Sequence, residues 1–228
     1  MTSAADELQQ ITPVVEDYLK TIYSLAQKKE SGQVGTVALA EALNIKPASV
    51  TAMLKTLAEL KLVEYEPYYG VTLTEAGEKI ALEVLRHHRL IELYLVEALG
   101  FTWDEVHEEA EALEHVISEK LEARIAAHLG DPTVDPHGDP IPALDGTLPD
   151  SSALSLADVP KGEEARIVRV SDQQSERLRY VAQLGLVPGA TVKVTERAPF
   201  EGPVTIRIGK KAHALDRKLT GTILVEFL

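Results

Sequence analysis

The sequence predicts a mainly α protein that ends in a small all-β domain. Three observations predict it. Apolar residues recur at helical spacing over residues 11–130. Over residues 154–228 they alternate with polar residues in short runs. Between the two, DPTVDPHGDPIPALDGTLPD is dense in Pro, Gly and Asp and has no period, so it reads as a linker or an irregular loop.

The elements follow in order. TPVVEDYLKTIYSLAQ places Val15, Leu19, Ile22 and Tyr23 on one helical face, with Thr12 as N-cap and Pro13 at the first helical position. TVALAEALN is a short helix, NIK a tight turn, and PASVTAMLKTLAELK a second helix opened by Pro47. LVEYEPYYGVTLTEAG reads as two strands around a turn containing Pro67 and Gly70. Long helices are predicted over 75–99 and 103–129, broken at Gly100. ARIVRV, ATVKVTER, PVTIRIG and GTILVEF describe strands of a small barrel, with one helix near 174–184.

Composition narrows the function. The chain has no cysteine, which excludes disulfides, thiolate metal sites and cysteine nucleophiles. No run of about 18 apolar residues suggests a membrane span. MTSAADELQQ lacks a basic-then-apolar leader pattern, so a cytoplasmic location is expected. The net charge of −13 argues against contact with phosphates, but the acidity is uneven. Residues 76–130 carry 5 basic and 12 acidic side chains, and 131–160 carry 6 acidic and no basic ones. Residues 161–228 carry 12 basic and 8 acidic. The acidic middle leaves DNA binding by one end open.

A short helix, a three-residue turn, a second helix and a hairpin make a winged helix-turn-helix. Val37, Leu39, Ala40, Leu43, Ile45, Val50, Met53, Leu54 and Leu57 are the expected packing residues. Lys46, Pro47, Ser49, Thr51 and Lys55 then lie at the exposed start and side of the second helix, where a recognition helix meets the major groove. Tyr68 and Tyr69 of the wing can reach the backbone or a groove. The alternative is a small helical domain that binds another protein.

HEEAEALEH, residues 107–115, is the densest cluster of metal-ligand types. At about 100° per helical residue, His107, Glu111, Glu114 and His115 share an arc of roughly 100°. They flank an apolar stripe of Val106, Ala110, Leu113, Ile117 and Leu121. RHHRLIELYL adds His88 and Glu92, four apart on one face, and VVEDYLK adds Asp17. Imidazole with carboxylate and no sulfur suits Mn²⁺ or Fe²⁺ over Zn²⁺ or Cu. The alternative is a solvated charged helix. Enzyme motifs are missing: no G-x-S-x-G, no H-E-x-x-H, no phosphate-binding glycine loop, and no Glu-x-x-His of a di-iron bundle.

EDYLKTIYSL, KPASVTAMLKTL, YYGVTLTEAG, RHHRLIELYL, VHEEAEALEHVIS and DPHGDPIP together resemble the diphtheria toxin repressor family of metal-dependent transcriptional regulators, near its manganese-responsive branch. ERLRYVAQLGLVPGATVKV resembles the SH3-like (FeoA-type) barrel of its longer members. The resemblance covers nearly the whole chain. It implies a winged helix-turn-helix domain over 1–75, a helical metal-binding and dimerisation domain over 76–150, and a barrel over 151–228. Residue by residue, it implies a regulatory metal position at Asp17, Glu111, Glu114 and His115. An ancillary position falls at His88, Glu92 and His107. Gln174 and Glu176 lie near the barrel segment that supplies ligands in some relatives.

Asp17 and Glu111 stand where iron-responsive members have sulfur, which favours Mn²⁺ over Fe²⁺, with two ions per subunit. Lys20 stands where a manganese-type member can offer a Glu, a departure from that subtype. The implied protein is a homodimer, paired through residues such as Leu90, Tyr94 and Leu95, that binds operator DNA when loaded with metal and controls metal homeostasis genes. Because the histidines coordinate only when neutral, activation should weaken below about pH 6. The rivals are a winged-helix regulator of a non-metal ligand, an iron-responsive member, and a metal-storage or enzymatic helical protein.

Overall fold

The computed structural model describes residues 11–29, 31–149 and 153–228. The stretch MTSAADELQQ and the expected boundary at 150–151 lie outside them. The chain divides into two compact units, one of residues 1–87 with 142–147, the other of 88–141 with 148–228.

In the first unit, helix α1 (Pro13–Ala26) starts as expected, with the Thr12 hydroxyl accepting from the Val15 N–H and Pro13 in the first turn. Helix α2 (Thr36–Ala42) and helix α3 (Pro47–Glu59) flank a turn in which Asn44 takes φ 53°. Asn tolerates this left-handed conformation better than most residues. Strands β1 (Val63–Glu66) and β2 (Gly70–Leu73) pair antiparallel, and the Val34 N–H adds a bond to the Val71 carbonyl at 2.9 Å. Gly70 begins β2 rather than sitting in the turn, whose exposed tip is Tyr68 at φ 72°.

Leu19, Ile22, Leu39, Val50, Leu54 and Leu57 form the buried centre. Val37 and Ile45, expected inside, are 62% and 39% exposed. Val37 lies about 200° around the helix from Leu39, on the opposite face. Ile45 follows the end of α2.

Helix α4 (Glu75–Leu99) begins where the Thr74 hydroxyl accepts from the Gly77 N–H at 3.2 Å. Gly77 is dictated by space, since a Cβ there would stand 2.0 Å from the Leu62 carbonyl oxygen. Gly77→Ala is therefore expected to cost about 3 kcal/mol, at the upper end for overpacking, because backbone must move. Urea denaturation of the variant checks this.

The second unit takes α4 from His88 onward. The expected helix over 103–129 is two: α5 (Val106–Leu113) and α6 (Glu119–His128). The break follows from sequence detail. β-Branched Val116 and Ile117 precede Ser118, whose hydroxyl caps α6 by accepting from the Leu121 N–H. HEEAEALEH therefore leaves the helix after Leu113, and His115 stands in a turn. The apolar stripe splits with it: Val106 and Ala110 are buried, while Leu113 and Leu121 are 41% and 51% exposed.

Two of the expected dimer residues are corrected here. Leu90 packs inside its own chain with Leu93, Ile125 and Ile141, and Leu95 with Ile91, Val106 and Ala110. α5 and α6 cover that face of α4, so neither leucine has surface left for a partner. Tyr94 is partly buried, its ring edge-on to His128 at 5.9 Å.

Residues 131–149 are the irregular loop of the two expected alternatives, with internal bonds of its own. Val134 bridges Pro140, the Asp135 N–H donates to the Asp139 carbonyl at 2.9 Å, and Asp135, His137 and Ile141 are buried.

The carboxy-terminal part is an antiparallel sheet of six strands in the order β3-β8-β4-β5-β6-β7. These are β3 (Leu154–Ser155), β4 (Glu164–Val170), β5 (Thr191–Arg197), β6 (Val204–Ile208), β7 (Lys211–Leu215) and β8 (Ile223–Phe227). Helices α7 (Ser175–Gln183) and α8 (Arg217–Gly221) complete it. Register shifts in β4 and β5 bend the sheet around one core that includes Ile167, Val194, Ile206 and Ile223. β3 and α8 are too short for a periodic pattern to reveal, and β7 (KAHAL) buries only Leu215 and so shows no alternation.

Candidate metal centre

The second unit gathers imidazoles and carboxylates into an alternating chain. His88 and Glu92 lie one turn apart on α4, with the His88 Nε2 3.0 Å from the Glu92 Oε1. The other nitrogen, Nδ1, is 2.5 Å from the Glu114 Oε2. The second oxygen of Glu114 is 3.3 Å from the His115 Nε2. On the far side, Glu92 Oε1 lies 3.4 Å from the His107 Nδ1, and its Oε2 lies 3.7 Å from the His137 Nδ1. Glu111 Oε1 stands 3.9 Å from the His88 Nδ1 and 3.8 Å from the His107 Nε2. His88 and His107 meet edge-to-face, centroids 4.9 Å apart. His88, Glu92, Glu114 and His137 are each at most 3% exposed.

Three sets in this unit bring one ligand atom per residue within 4.8 Å of the others: His88–Glu92–His107, His88–Glu111–Glu114 and Glu92–Asp135–His137. The first two unite residues the sequence singled out. The third adds Asp135 and His137, which sequence reasoning left in a linker. The available signal was the alternation D-P-H-G-D, three ligand-type residues at two-residue spacing. Asp17 lies half-buried on α1, in the other unit. Gln174 and Glu176 are exposed, and Glu176 belongs to none of the donor sets among the described residues. The buried acid of that segment is Asp172, which accepts from the Gln174 N–H and is paired with Arg177 at 3.0 Å.

The electrostatics match a cation site. Burial alone would push the Glu92 carboxyl up, but the imidazoles of His107, His137 and His88 around it outweigh that and hold it well below the usual range. Burial, with the charges of Asp139 and Glu92 beside it, pushes Asp135 up to about 7. Burial would lower His137, yet the Glu92 and Asp135 carboxylates beside it and the Trp103 carbonyl raise it to about 9. Buried carboxylates at this density need compensating positive charge. A divalent cation held by neutral imidazoles would supply it. The donor set is all nitrogen and oxygen, the chemistry of Mn²⁺ or Fe²⁺ sites.

Residues 10–71 match the description "Iron dependent repressor, N-terminal DNA binding domain". Residues 74–143 match "Iron dependent repressor, metal binding and dimerisation domain", and 154–227 match the FeoA domain. The iron-dependent repressor IdeR of Mycobacterium leprae (strain TN) is 32% identical over 232 aligned residues, covering 96% of this chain and 99% of that one. The chain belongs to the diphtheria toxin repressor family. Its fold agrees: a manganese-dependent transcriptional repressor solved in complex with manganese superposes with TM-score 0.87 at 39% identity. That match covers 94% of this chain and all of the other. ScaR solved with bound Cd²⁺ superposes with TM-score 0.81 at 31% identity, over 94% and 99% of the two chains. As a diphtheria toxin repressor homologue the protein is a metal-dependent, DNA-binding transcriptional regulator and not an enzyme. Among the described residues no helix is long and apolar enough to cross a membrane.

Proposed function

We propose that the chain is a cytoplasmic, manganese-activated regulator that binds a near-palindromic operator as a homodimer, with Fe²⁺ as the alternative activator. The observation that carries this reading is the alternation of His115, Glu114, His88, Glu92 and His137, buried except at His115, with no sulfur in it. Glu111, Glu114 and His115, with Asp17 as the family resemblance assigns it, hold the regulatory ion. His88, Glu92 and His107 hold the ancillary one, beside the further donors Asp135 and His137. A bound cation supplies the positive charge that lets these carboxylates stand together while the imidazoles are neutral.

Without it, the clustered carboxylates repel, and only a fraction of the protein is competent to bind the operator. Apparent affinity falls by the competent fraction. Linkage is reciprocal, so operator DNA tightens metal binding. Carboxylates at Asp17 and Glu111 favour manganese. A mobility-shift titration with Mn²⁺, Fe²⁺ and Zn²⁺ under anaerobic conditions, against a chelated control, tests the reading. Equal binding with chelator would favour a non-metal ligand.

The DNA face is the exposed start of α3, with Lys46, Pro47, Ser49 and Lys55, and the wing tip, with Tyr68 and Tyr69. Thr51 is half-buried and its hydroxyl donates to the Pro47 carbonyl at 3.0 Å, leaving the oxygen as an acceptor for DNA. Lys46→Ala and Lys55→Ala are each expected to weaken binding to all sequences alike. Each should reduce the slope of log affinity against log salt by about 1. Fluorescence anisotropy across a salt series measures both.

A further inference from the structure

His137 is gripped by one short segment of the second unit. Its Nε2 lies 2.7 Å from the Trp103 carbonyl oxygen. Its ring stacks on the Trp103 indole, centroids 5.3 Å apart and planes 27° apart. A carbonyl oxygen can only accept, so Nε2 carries the proton and, in the neutral ring, Nδ1 carries the lone pair. That nitrogen is 3.7 Å from the Glu92 Oε2, too far for a hydrogen bond. Two donors about 2.1 Å from a shared ion stand about 3–3.5 Å apart, close to this spacing.

We infer that Trp103 is the positioning residue of the metal centre: its carbonyl selects the Nε2–H form of His137, and its indole fixes the ring, so that Nδ1 faces the space shared with Glu92 and Asp135. This rests on the reading of Glu92, Asp135 and His137 as a donor set.

The FeoA domain holds both sides of this grip. Trp103 packs against the sheet's core, and the adjacent Asp104, buried, is paired with Arg179 of α7 at 3.1 Å. On the other side the Val170 N–H of β4 donates to the His137 carbonyl at 2.9 Å. Arg169 of β4 reaches Asp139 at 3.4 Å. The domain thus acts on the centre by holding Trp103 and the 135–139 loop in place, a role independent of Gln174 or Glu176. A hydrogen bond from the distal nitrogen of a ligand histidine to a fixed acceptor typically accounts for 10–100-fold in metal affinity.

The test uses the full chain labelled with ¹⁵N-histidine and ¹¹³Cd²⁺ alone as the probe. His137 is assigned by the signal lost in His137→Phe. The expected result is a retained Nε2 proton and cadmium coupling at Nδ1. Trp103→Ala should weaken cadmium uptake at His137 by about 10–100-fold. Both variants keep the main-chain carbonyl, and Trp103→Phe, which also keeps a stacking ring, should recover most of the affinity. Trp103 is the only tryptophan, so its emission in the wild type should also respond to the titration. Coupling through Nε2, or unchanged affinity in Trp103→Ala, would overturn the positioning role. A His137 signal that ignores saturating cadmium while His88 and His107 respond would instead overturn the donor set itself, and the inference with it. If Trp103→Ala does not fold, the wild-type coupling and the Trp103→Phe affinity decide.

Discussion

A Glu111→Ala, His115→Ala double variant is expected to bind operator DNA no better with manganese than with chelator, while remaining folded and dimeric. Both side chains are partly exposed, so their removal costs little stability. Glu114 would be a poorer choice. It is 1% exposed and 2.5 Å from the His88 Nδ1, so its loss would strand a buried imidazole and confound metal response with folding. The magnitude follows from the population argument. Moving a two-state equilibrium from 1:99 to 99:1 takes about 5.5 kcal/mol of differential binding, and losing that selection lowers apparent affinity by up to about 100-fold. Anisotropy titrations with manganese and with chelator, beside sedimentation of the variant, measure both halves of the expectation. A variant that still answers to manganese would show that the regulatory ion sits elsewhere.

Gly138→Ala is expected to be the most damaging single methyl group in the second unit. Gly138 has φ +85°, and a Cβ there would lie 2.0 Å from the Val168 carbonyl oxygen. The conformation alone costs an L side chain roughly 1–2 kcal/mol, and overpacking against backbone adds about 1–3. About 4 kcal/mol is a large part of the 5–15 kcal/mol that holds a domain together. The clash also pushes the loop away from β4, carrying Asp135 and His137 with it. Urea denaturation should show the loss of stability. Isothermal titration with manganese should show a weakened ion at the ancillary side, even under conditions where the variant is fully folded.

The helix-turn-helix was legible because its signals are local. Thr12 and Pro13 start α1, Pro47 starts α3, and Asn44 accepts the turn. The meeting of His88 and Glu92 on α4 was legible for the same reason, since the two are neighbours by helical period alone. Beyond that point local rules fail. The arc drawn through HEEAEALEH assumed one continuous helix, yet α5 ends at Leu113. His115 nevertheless reaches Glu114, because the turn brings it there by a different route. Leu90 and Leu95 were expected at a dimer seam because a sequence does not say which residues of α4 its own α5 and α6 will cover.

Residue types and local spacing by themselves determined that this is a winged-helix protein with a sulfur-free set of imidazoles and carboxylates, because capping, turns and helical period act within a few residues. Only the tertiary structure decided that Asp135 and His137 stand beside that set and that the Trp103 carbonyl meets the His137 Nε2. Those contacts join positions tens of residues apart, and burial, which sets their geometry and their charge, is a property of the packed chain and not of any segment in it.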